Sequence, residues 1–206
     1  MSEYNSDVLI DLLKLLSSKN YINHAITPHS HAIVNARPDN LMAKDSIGAL
    51  GWSREFASST LGDELFNLLQ KAKVLEASEH GWKSKIRVST YNNLQFLHSS
   101  FPTNHPDSVF FGPDTYRFVS AIESHLKEHC SSDMNTAKIK RAVDICSGSG
   151  IAAIIMGRAL PDCKVIGVDI NDRALELSRI NALAAKADNV EFLKSDLLKN
   201  VEGQFD

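Results

Sequence analysis

The chain has 206 residues, of which 43 % are apolar and 23 % are charged, so it can bury a core and is not a disordered or collagen-like chain. No apolar run reaches the roughly 18 residues that a membrane-spanning helix needs, and the acidic first residues do not resemble a signal peptide. Three cysteines without metal-ligand spacing predict reduced thiols and a cytoplasmic protein without a metal. The net charge of −3 arises entirely from residues 101–206, and neither half is a basic nucleic-acid-binding domain.

The first part of the chain, residues 1–98, predicts a small helical, winged-helix-like domain. Apolar periodicity indicates helices over residues 7–18 and 63–75, the first of them apolar on most of its circumference. The segment SKIRVSTY alternates apolar and polar residues, and a turn at Asn92-Asn93 leads into LQFLH, which predicts a β-hairpin. Its Lys83, Lys85 and Arg87 are expected on a solvated strand face, with contact to an RNA backbone as the alternative.

Residues 99–113 predict an extended connector, because three prolines interrupt the segment. A helix is then expected from about Thr115 to Glu128, with Asp114 as its N-cap. Its apolar stripe would comprise Phe118, Val119, Ile122 and Leu126, and residues 131–138 read as a polar loop.

From Arg141 onward the chain alternates short apolar strands with helices. The segments RAVDIC, KVIGVD and NVEFLKSD predict strands, and IAAIIMGRAL and DRALELSRINALAAK predict the helices between them. This order is typical of a parallel sheet with crossover helices, so residues 114–206 are assigned to an α/β domain.

The first strand of this domain leads directly into a glycine-containing turn, DICSGSG, and then into a helix. Glycine allows a sharp turn and lets a ligand approach the backbone, and the amides at a helix start favour an anionic group. Asp169 closes the second strand and Asp196 closes the third. With Asp144 they are expected at the carboxyl ends of neighbouring strands, where open α/β sheets bind ligands.

Two cofactors fit such a turn, a dinucleotide and S-adenosylmethionine, and the charge that each would place there distinguishes between them. Gly148-x-Gly150-x-x-Ala153 with Asp169 also satisfies the loose dinucleotide pattern. A dinucleotide would place its pyrophosphate beside Asp144, which would repel it, whereas S-adenosylmethionine offers an ammonium and a sulfonium. The sequence therefore favours S-adenosylmethionine, with Asp169 accepting hydrogen bonds from ribose hydroxyls and Asp196 from the adenine amino group.

Residues 141–206 resemble the first half of a class I S-adenosylmethionine-dependent methyltransferase in the order and spacing of VDICSGSG, VIGVDIN and SDLL. The segment VFFGPDTYRFVSAI resembles the stretch before the core in small-domain methyltransferases, which include release-factor glutamine and ribosomal-RNA guanine methyltransferases. The implied fold is α/β: the amino-terminal half of a Rossmann-like methyltransferase sheet, preceded by the small helical, winged-helix-like domain.

The resemblance implies a set of cofactor-binding residues along this half of the chain. Cys146 stands where many relatives carry the first glycine of the loop, and a small side chain is tolerable there. Residues near the cofactor would be Phe111, Asp114 and Thr115; those around its methionine part Asp144, Cys146, Gly148 and Gly150; those at its ribose Asp169 and Ile170; and those at its adenine Asp196 and Leu197.

The resemblance also implies what the chain leaves out. In the family Phe-Asp opens a fourth strand, followed by an Asn-Pro-Pro-Tyr or Asn-Pro-Pro-Phe motif that holds the methyl acceptor, whereas this chain ends at Gln204-Phe205-Asp206. We therefore expect an inactive amino-terminal fragment of a longer enzyme, without catalytic residues of its own. The edge of its first strand would be covered by the amino-terminal helices, a second chain or a disordered surface.

The favoured function for the parent protein is methylation of a nitrogen of protein glutamine or rRNA guanine. One alternative is an NAD(P)-dependent oxidoreductase with a Rossmann dinucleotide site. Another is a non-catalytic module whose first half binds RNA or protein.

Overall fold

A computed structural model describes residues 4–130 and 139–206, with the side chains of residues 129 and 130 left aside. The predicted loop at 131–138 therefore lies outside the described residues. The chain divides into two compact units, Met1–Pro113 and Asp114–Asp206. No helix among the described residues is long and apolar enough to cross a membrane.

The first unit combines short helices with two antiparallel hairpins. Its helices are α1 (Ser6–Ser18), α2 (Pro28–Asn35), α3 (Ser46–Leu50) and α4 (Asp63–Lys71), and its strands are β1 (Leu75–Ser78), β2 (Gly81–Ser84), β3 (Ile86–Tyr91) and β4 (Leu94–Ser99). Strand β1 pairs with β2, and β3 pairs with β4 through the predicted turn at Asn92 and Asn93, both of which have positive φ. The predicted β3–β4 hairpin is thereby confirmed.

The helix predicted over residues 7–18 is confirmed, and its many apolar residues have an explanation. Leu9, Leu12, Leu13 and Leu16 are buried, and α1 packs against α4. An exposed ion pair joins Lys19, just after α1, to Glu64 at 3.4 Å. The core of the first unit therefore lies partly between these two helices.

The predicted helix over residues 63–75 is too long. Helix α4 ends at Lys71, Lys73 adopts a left-handed conformation with φ of 62°, and Leu75 begins strand β1. The left-handed residue closes the helix, since it stops the hydrogen-bond ladder and turns the chain. The short β1–β2 hairpin that follows is absent from the sequence prediction.

The predicted solvated face is wrong for Arg87, and the other two predicted cations, Lys83 in β2 and Lys85 before β3, are half-buried. Arg87 is only 3 % exposed, and its Nε donates to the Ser99 carbonyl at 3.1 Å. His98 on the facing strand is fully buried and lies 2.8 Å from the Ser89 hydroxyl. Because both faces of this hairpin are covered, Arg87 neither faces solvent nor offers its guanidinium to RNA.

The segment after β4 returns to the first unit by hydrogen bonds. The Ser99 amide donates to the Val109 carbonyl at 3.0 Å, and the Val109 amide donates to the Ser99 hydroxyl at 2.8 Å. The Phe101 amide donates to the Ser53 hydroxyl at 2.9 Å. This part of residues 99–113 is therefore held by specific contacts.

The second unit begins with a helix that differs from the prediction at its start. Helix α5 runs over Pro113–Cys130, so Asp114 lies in its first turn and is not the N-cap. Proline is favourable at the first helical position because its missing N–H has no intrahelical partner there. Phe118, expected in the apolar stripe, is 56 % exposed, whereas Val119 is buried.

The α/β part of the second unit agrees with the predicted order of strands and helices. Its elements are β5 (Arg141–Ile145), α6 (Ile151–Ala159), β6 (Lys164–Asp169), α7 (Asp172–Ala185) and β7 (Val190–Lys194). The strands form a parallel sheet in the order β5-β6-β7, with Asp144 opposite Gly167 and Asp169 opposite Lys194. The sheet and its crossover helices form a Rossmann-like arrangement.

The last residues of the chain lie against the beginning of β5. The Asp206 amide donates to the Arg141 carbonyl at 3.0 Å, and the Asp206 carboxylate accepts from the amides of Lys140 and Arg141 at 2.8 and 3.0 Å. The Arg141 guanidinium donates to the Glu202 carbonyl at 2.8 Å and lies over the Phe205 ring. The start of the β5 edge is thus covered by residues 202–206.

Candidate functional site

The loop between β5 and α6 has an unusual backbone. Cys146, Gly148 and Gly150 have φ values of 61°, 54° and 78°, which lie in the left-handed region. Glycine adopts this region without a steric cost, whereas Cys146 adopts it with some strain. The loop turns the chain sharply at the carboxyl end of β5, and α6 begins directly after Gly150.

The two glycines of this loop serve different purposes. A Cβ placed on Gly150 would lie 2.7 Å from the Phe192 ring and 2.7 Å from Ser178 Cβ, so Gly150 is needed for packing. A Cβ on Gly148 would meet no atom within 4 Å. Gly148 therefore borders open space, and a ligand can approach its backbone.

Asp144 is a buried carboxylate at the end of β5. It is 6 % exposed, and its Oδ2 accepts a hydrogen bond from the Ala153 amide of α6 at 3.1 Å. Burial raises the pKa of Asp144 to about 6, and the negative charge of Asp169 acts in the same direction. A cation bound nearby would favour the ionised form of this group.

Asp169 links the second strand to the glycine loop. Its Oδ2 accepts from the Gly148 amide at 2.9 Å, and its Oδ1 accepts from the Asn171 amide at 2.9 Å. Each carboxylate oxygen can accept a further hydrogen bond, so both remain able to receive a ligand hydroxyl. Asp169 therefore fixes the loop and keeps acceptor capacity.

The remaining predicted residues of this edge are exposed. Asp196 forms a short i,i+3 ion pair with Lys199, and Leu197 has φ of 52°. Ile170 and Leu197 are 65 % and 57 % exposed, which is high for large apolar side chains. They provide apolar surface at the same end of the sheet as the acids.

The structure brings Asp144 and Asp169 within electrostatic reach of each other, and Asp169 also accepts from the Gly148 amide. Asp196 lies two residues beyond Lys194, the residue paired with Asp169 in the sheet. All three acids are therefore at the carboxyl ends of the parallel strands, although only Asp144 is deeply buried.

Two residues of the loop region were absent from the sequence prediction. Asn181 of α7 is fully buried and donates from Nδ2 to the Ser149 carbonyl at 2.9 Å, which ties the loop to the helix behind it. The Ser147 hydroxyl is buried and has no hydrogen-bond partner among the described residues. In the sequence, the only signal for Asn181 is that it is a polar residue within a predicted amphipathic helix.

The residues predicted before the sheet lie in different surroundings. Phe111 is fully buried in the first unit, where its ring stacks on His98 and Phe96 with centroids 5.0 and 6.1 Å away. Asp114 is exposed and Thr115 half-buried in α5. Their contact with a cofactor stays a prediction.

The described residues bring together no group of three or more His, Cys, Asp or Glu side chains that could hold a metal ion. His31 is buried against Trp52 and Phe101, with ring centroids 5.2 and 4.1 Å apart. Cys146 and Cys163 are free thiols.

A comparison with known families bears on most of the second unit. Residues 125–206 match the family model described as Methyltransferase small domain. Residues 125–206 are therefore similar to this family. Among these residues, the open space at Gly148 and the orphaned Ser147 hydroxyl fit a bound cofactor with polar groups.

Curated relatives match short segments of this chain. Ribosomal protein uL3 glutamine methyltransferase of Xanthomonas campestris pv. campestris is 49 % identical over 67 residues, which is 32 % of this chain and 22 % of that protein. Release factor glutamine methyltransferase of Fusobacterium nucleatum subsp. nucleatum is 34 % identical over 80 residues, 39 % of this chain and 23 % of that protein. The chain spans about a fifth of the length of these curated relatives.

A solved structure titled as a SAM-dependent methyltransferase from Agrobacterium tumefaciens aligns over 65 % of this chain and 42 % of its own. The sequence identity is 14 % and the TM-score is 0.44.

Proposed function

We propose that the protein containing this chain is an enzyme that transfers a methyl group from S-adenosylmethionine to the side-chain amide of a protein glutamine. The family of residues 125–206 supports methyl transfer. The names of the relatives, uL3 and release factor glutamine methyltransferases, support a protein glutamine as the acceptor. Guanine in rRNA stays a prediction from the sequence.

The observation that carries the proposal is the open space at Gly148, whose amide donates to Asp169, a carboxylate within electrostatic reach of Asp144. S-adenosylmethionine supplies a methyl group that is already activated on a sulfonium. The protein then needs proximity and alignment more than a nucleophile or a metal of its own. Residues of this chain bind and orient, and none is assigned as catalytic.

Asp144 would hold the ammonium of the methionine part. Its carboxylate is buried, so its charge acts in a low-dielectric environment where attraction to a cation is strong. Gly148 would allow the close approach of this part of the cofactor, and the orphaned Ser147 hydroxyl is a further polar group there. Cys146 and Gly150 shape the loop through their left-handed backbones.

Asp169 would accept hydrogen bonds from the two ribose hydroxyls while it keeps its bonds to the Gly148 and Asn171 amides. Ile170 would contact the ribose, and Leu197 would cover the adenine ring, each with its exposed apolar surface. Asp196 would accept from the adenine amino group, which requires the exposed pair with Lys199 to rearrange. An exposed ion pair of this kind contributes only about 0–1 kcal/mol to stability, so breaking it costs little free energy.

Asp114 and Thr115 would complete the cofactor contacts of the second unit, as the resemblance implies, and the contact of Phe111 stays a prediction from the sequence. The NAD(P)-dependent oxidoreductase is the competing reaction class. A pyrophosphate near Gly148 would meet the negative charges of Asp144 and Asp169, which disfavours that alternative. The non-catalytic module is the other alternative, and the family of residues 125–206 disfavours it.

The test uses the full-length protein that contains this chain, with methyl-labelled S-adenosylmethionine and purified uL3, release factor or rRNA as acceptors. We expect label on a glutamine of one of the two proteins, and a strong loss in Asp169→Ala. Asp188→Asn is the matched control, since Asp188 is an exposed acid of the same unit. Label on rRNA guanine alone would replace the acceptor in the proposal, and label on none would overturn it.

A cytoplasmic location belongs to the same proposal, because ribosomal proteins and release factors act in that compartment. Self-association through the β5 edge stays a prediction from the sequence. The bonds between Asp206 and Arg141 cover the beginning of that edge and so limit the part left for a second chain.

A further inference from the structure

Helix α7 carries a polar side chain on its buried face, behind the loop between β5 and α6. Asn181 is fully buried, and Leu177, Ile180 and Ala182 around it in the helix are buried apolar residues. A side-chain amide in such surroundings costs free energy unless it is hydrogen-bonded. The partner of Asn181 therefore indicates what this residue does.

That partner is a backbone carbonyl of the loop. Asn181 Nδ2 donates to the Ser149 carbonyl at 2.9 Å. In a regular helix this carbonyl would accept from the Ala153 amide, four residues later. Here the Ala153 amide donates to Asp144 Oδ2 at 3.1 Å. The bond from Asn181 thus supplies the Ser149 carbonyl with a donor while the Ala153 amide serves the buried carboxylate.

Other bonds hold the loop on its remaining sides. The Ser147 amide donates to the Val168 carbonyl of β6 at 2.9 Å, and the Gly150 amide donates to the Ser147 carbonyl at 2.8 Å. These two bonds fix the loop against β6 and onto itself. The bond from Asn181 fixes the residue before Gly150 against α7.

Helix α7 is a firm support for this bond. Asn171 caps its start, because Oδ1 accepts from the Arg173 amide at 3.0 Å. Further along, Arg179 Nη2 donates to the Phe192 carbonyl of β7 at 2.8 Å. A Cβ on Gly150 would lie 2.7 Å from the Phe192 ring, so the loop packs closely against β7. A shift of α7 would disturb the sheet, and Asn181 transmits this fixed position to the loop.

We propose that Asn181 is a positioning residue for cofactor binding. Its side-chain amide occupies the Ser149 carbonyl and so leaves the Ala153 amide to Asp144. The same bond keeps the turn at Gly148 in its open form. The inference rests on the proposed function, in which Asp144 holds the ammonium of the cofactor and Gly148 allows its approach. A loop that already has its binding geometry loses less freedom when the ligand binds.

The first test measures the loop without any cofactor. Asn181→Leu removes the donor and keeps a side chain of similar size. In NMR hydrogen exchange on the whole ¹⁵N-labelled chain, we expect the Gly148 and Gly150 amides to exchange about tenfold faster in this variant. Ile180→Val is the matched control, since Ile180 is buried in the same helix and its side chain has no hydrogen-bonding group. In this control the two amides should exchange as in the wild type.

Urea unfolding gives the global stability of each variant and so separates a loosened loop from general destabilisation. If Asn181→Leu does not fold, the smaller Asn181→Ala decides. Unchanged exchange of the loop amides in a folded variant at Asn181 would overturn the proposal. Exchange that is equally fast in Ile180→Val would also overturn it, because it would show a role in packing alone.

The second test is calorimetric titration of the full-length protein that contains this chain with S-adenosylhomocysteine. We expect the Kd to rise about tenfold in Asn181→Leu and to stay unchanged in Ile180→Val. Equal binding by the wild type and Asn181→Leu would overturn the positioning role and leave the proposed function intact. A wild type that does not bind S-adenosylhomocysteine would overturn the proposed function, and the positioning role with it.

Discussion

Asp144 has to satisfy two opposing requirements. A buried carboxylate destabilises the fold when it ionises, yet the ionised form is the one that attracts an ammonium group. Burial raises its pKa from 3.8 to about 6. Between these two values the unfolded chain releases the proton and the folded chain keeps it, so this group lowers stability as the pH rises from about 4 to about 6.

Asp144→Asn should therefore make the chain more stable at neutral pH, by about 1–3 kcal/mol, because it removes the buried charge and keeps an acceptor for the Ala153 amide. The same change should weaken binding of S-adenosylhomocysteine by roughly tenfold or more. Urea unfolding and calorimetric titration measure the two effects, with Asp188→Asn as control. A variant that binds as well as the wild type would contradict the assigned role of Asp144.

His31 predicts a pH dependence for the first unit. Its folded-state pKa is lowered from 6.5 to about 4, first by burial and then by the charge of Arg87. The stability it contributes is complete above about pH 6.5 and is lost as the pH falls toward 4, since the unfolded chain binds the proton first. Buried His98, whose pKa is lowered by burial and by Arg87, acts in the same sense.

The free energy of unfolding should fall by about 2 kcal/mol between pH 7.5 and pH 5 on account of His31 alone. In His31→Phe this fall should become smaller by a similar amount, although His98 keeps part of it. His29→Phe is the control, because His29 is exposed on the same helix. Unfolding curves that depend equally on pH in both variants would show that His31 does not titrate as described.

At the scale of elements, the loop between β5 and α6 predicts unequal losses of stability for two similar substitutions. Gly150→Ala should destabilise the chain by about 2 kcal/mol or more, because its Cβ would collide with Phe192 and Ser178. Gly148→Ala should cost only about 1 kcal/mol of backbone strain, because its Cβ meets no atom. Its main effect should be weaker binding of S-adenosylhomocysteine.

Thermal unfolding and calorimetric titration of both variants check this contrast. If Gly148→Ala binds normally while Gly150→Ala loses stability, the space at Gly148 is not where the cofactor approaches. Equal losses of stability in the two variants would contradict the described packing of the loop.

The same elements show how far the sequence alone was informative. Strands β5, β6 and β7 were predictable because short apolar runs alternate with helices, and Gly-Ser-Gly marks the loop between them. The burial of Arg87 was not predictable. Alternation of apolar and polar residues identifies the buried face of a strand only when the other face is exposed to water, and here both faces are buried. Asn181 was also missed, because its tie to the Ser149 carbonyl joins residues 32 positions apart.

At the scale of the whole molecule, the contacts of Arg141 determine how the last residues meet the sheet. The guanidinium donates to the Glu202 carbonyl and lies over the Phe205 ring. A Cβ on Gly203 would meet this guanidinium directly, so the segment and the arginine fit closely. The acidic partner Asp206, whose pKa is lowered by hydrogen bonds from the Lys140 and Arg141 amides, completes the contact.

Arg141→Met should therefore loosen residues 202–206. We expect the Asp206 amide to exchange its hydrogen roughly tenfold faster, as the loss of about one charge-assisted hydrogen bond implies. Lys140→Met is the matched control, because the exposed Lys140 side chain takes no part while its amide still donates to Asp206. Equal exchange rates in the two variants would show that the guanidinium does not hold the segment.

At this scale we propose that the carboxyl edge of the β5-β6-β7 sheet binds an adenosyl cofactor that carries a positive charge. Calorimetric titration of the chain with S-adenosylhomocysteine and, separately, with NAD tests it most directly. We expect saturable binding of S-adenosylhomocysteine and no binding of NAD at the same concentrations. In Asp169→Asn the binding of S-adenosylhomocysteine should weaken about tenfold. Binding of NAD without binding of S-adenosylhomocysteine would contradict it.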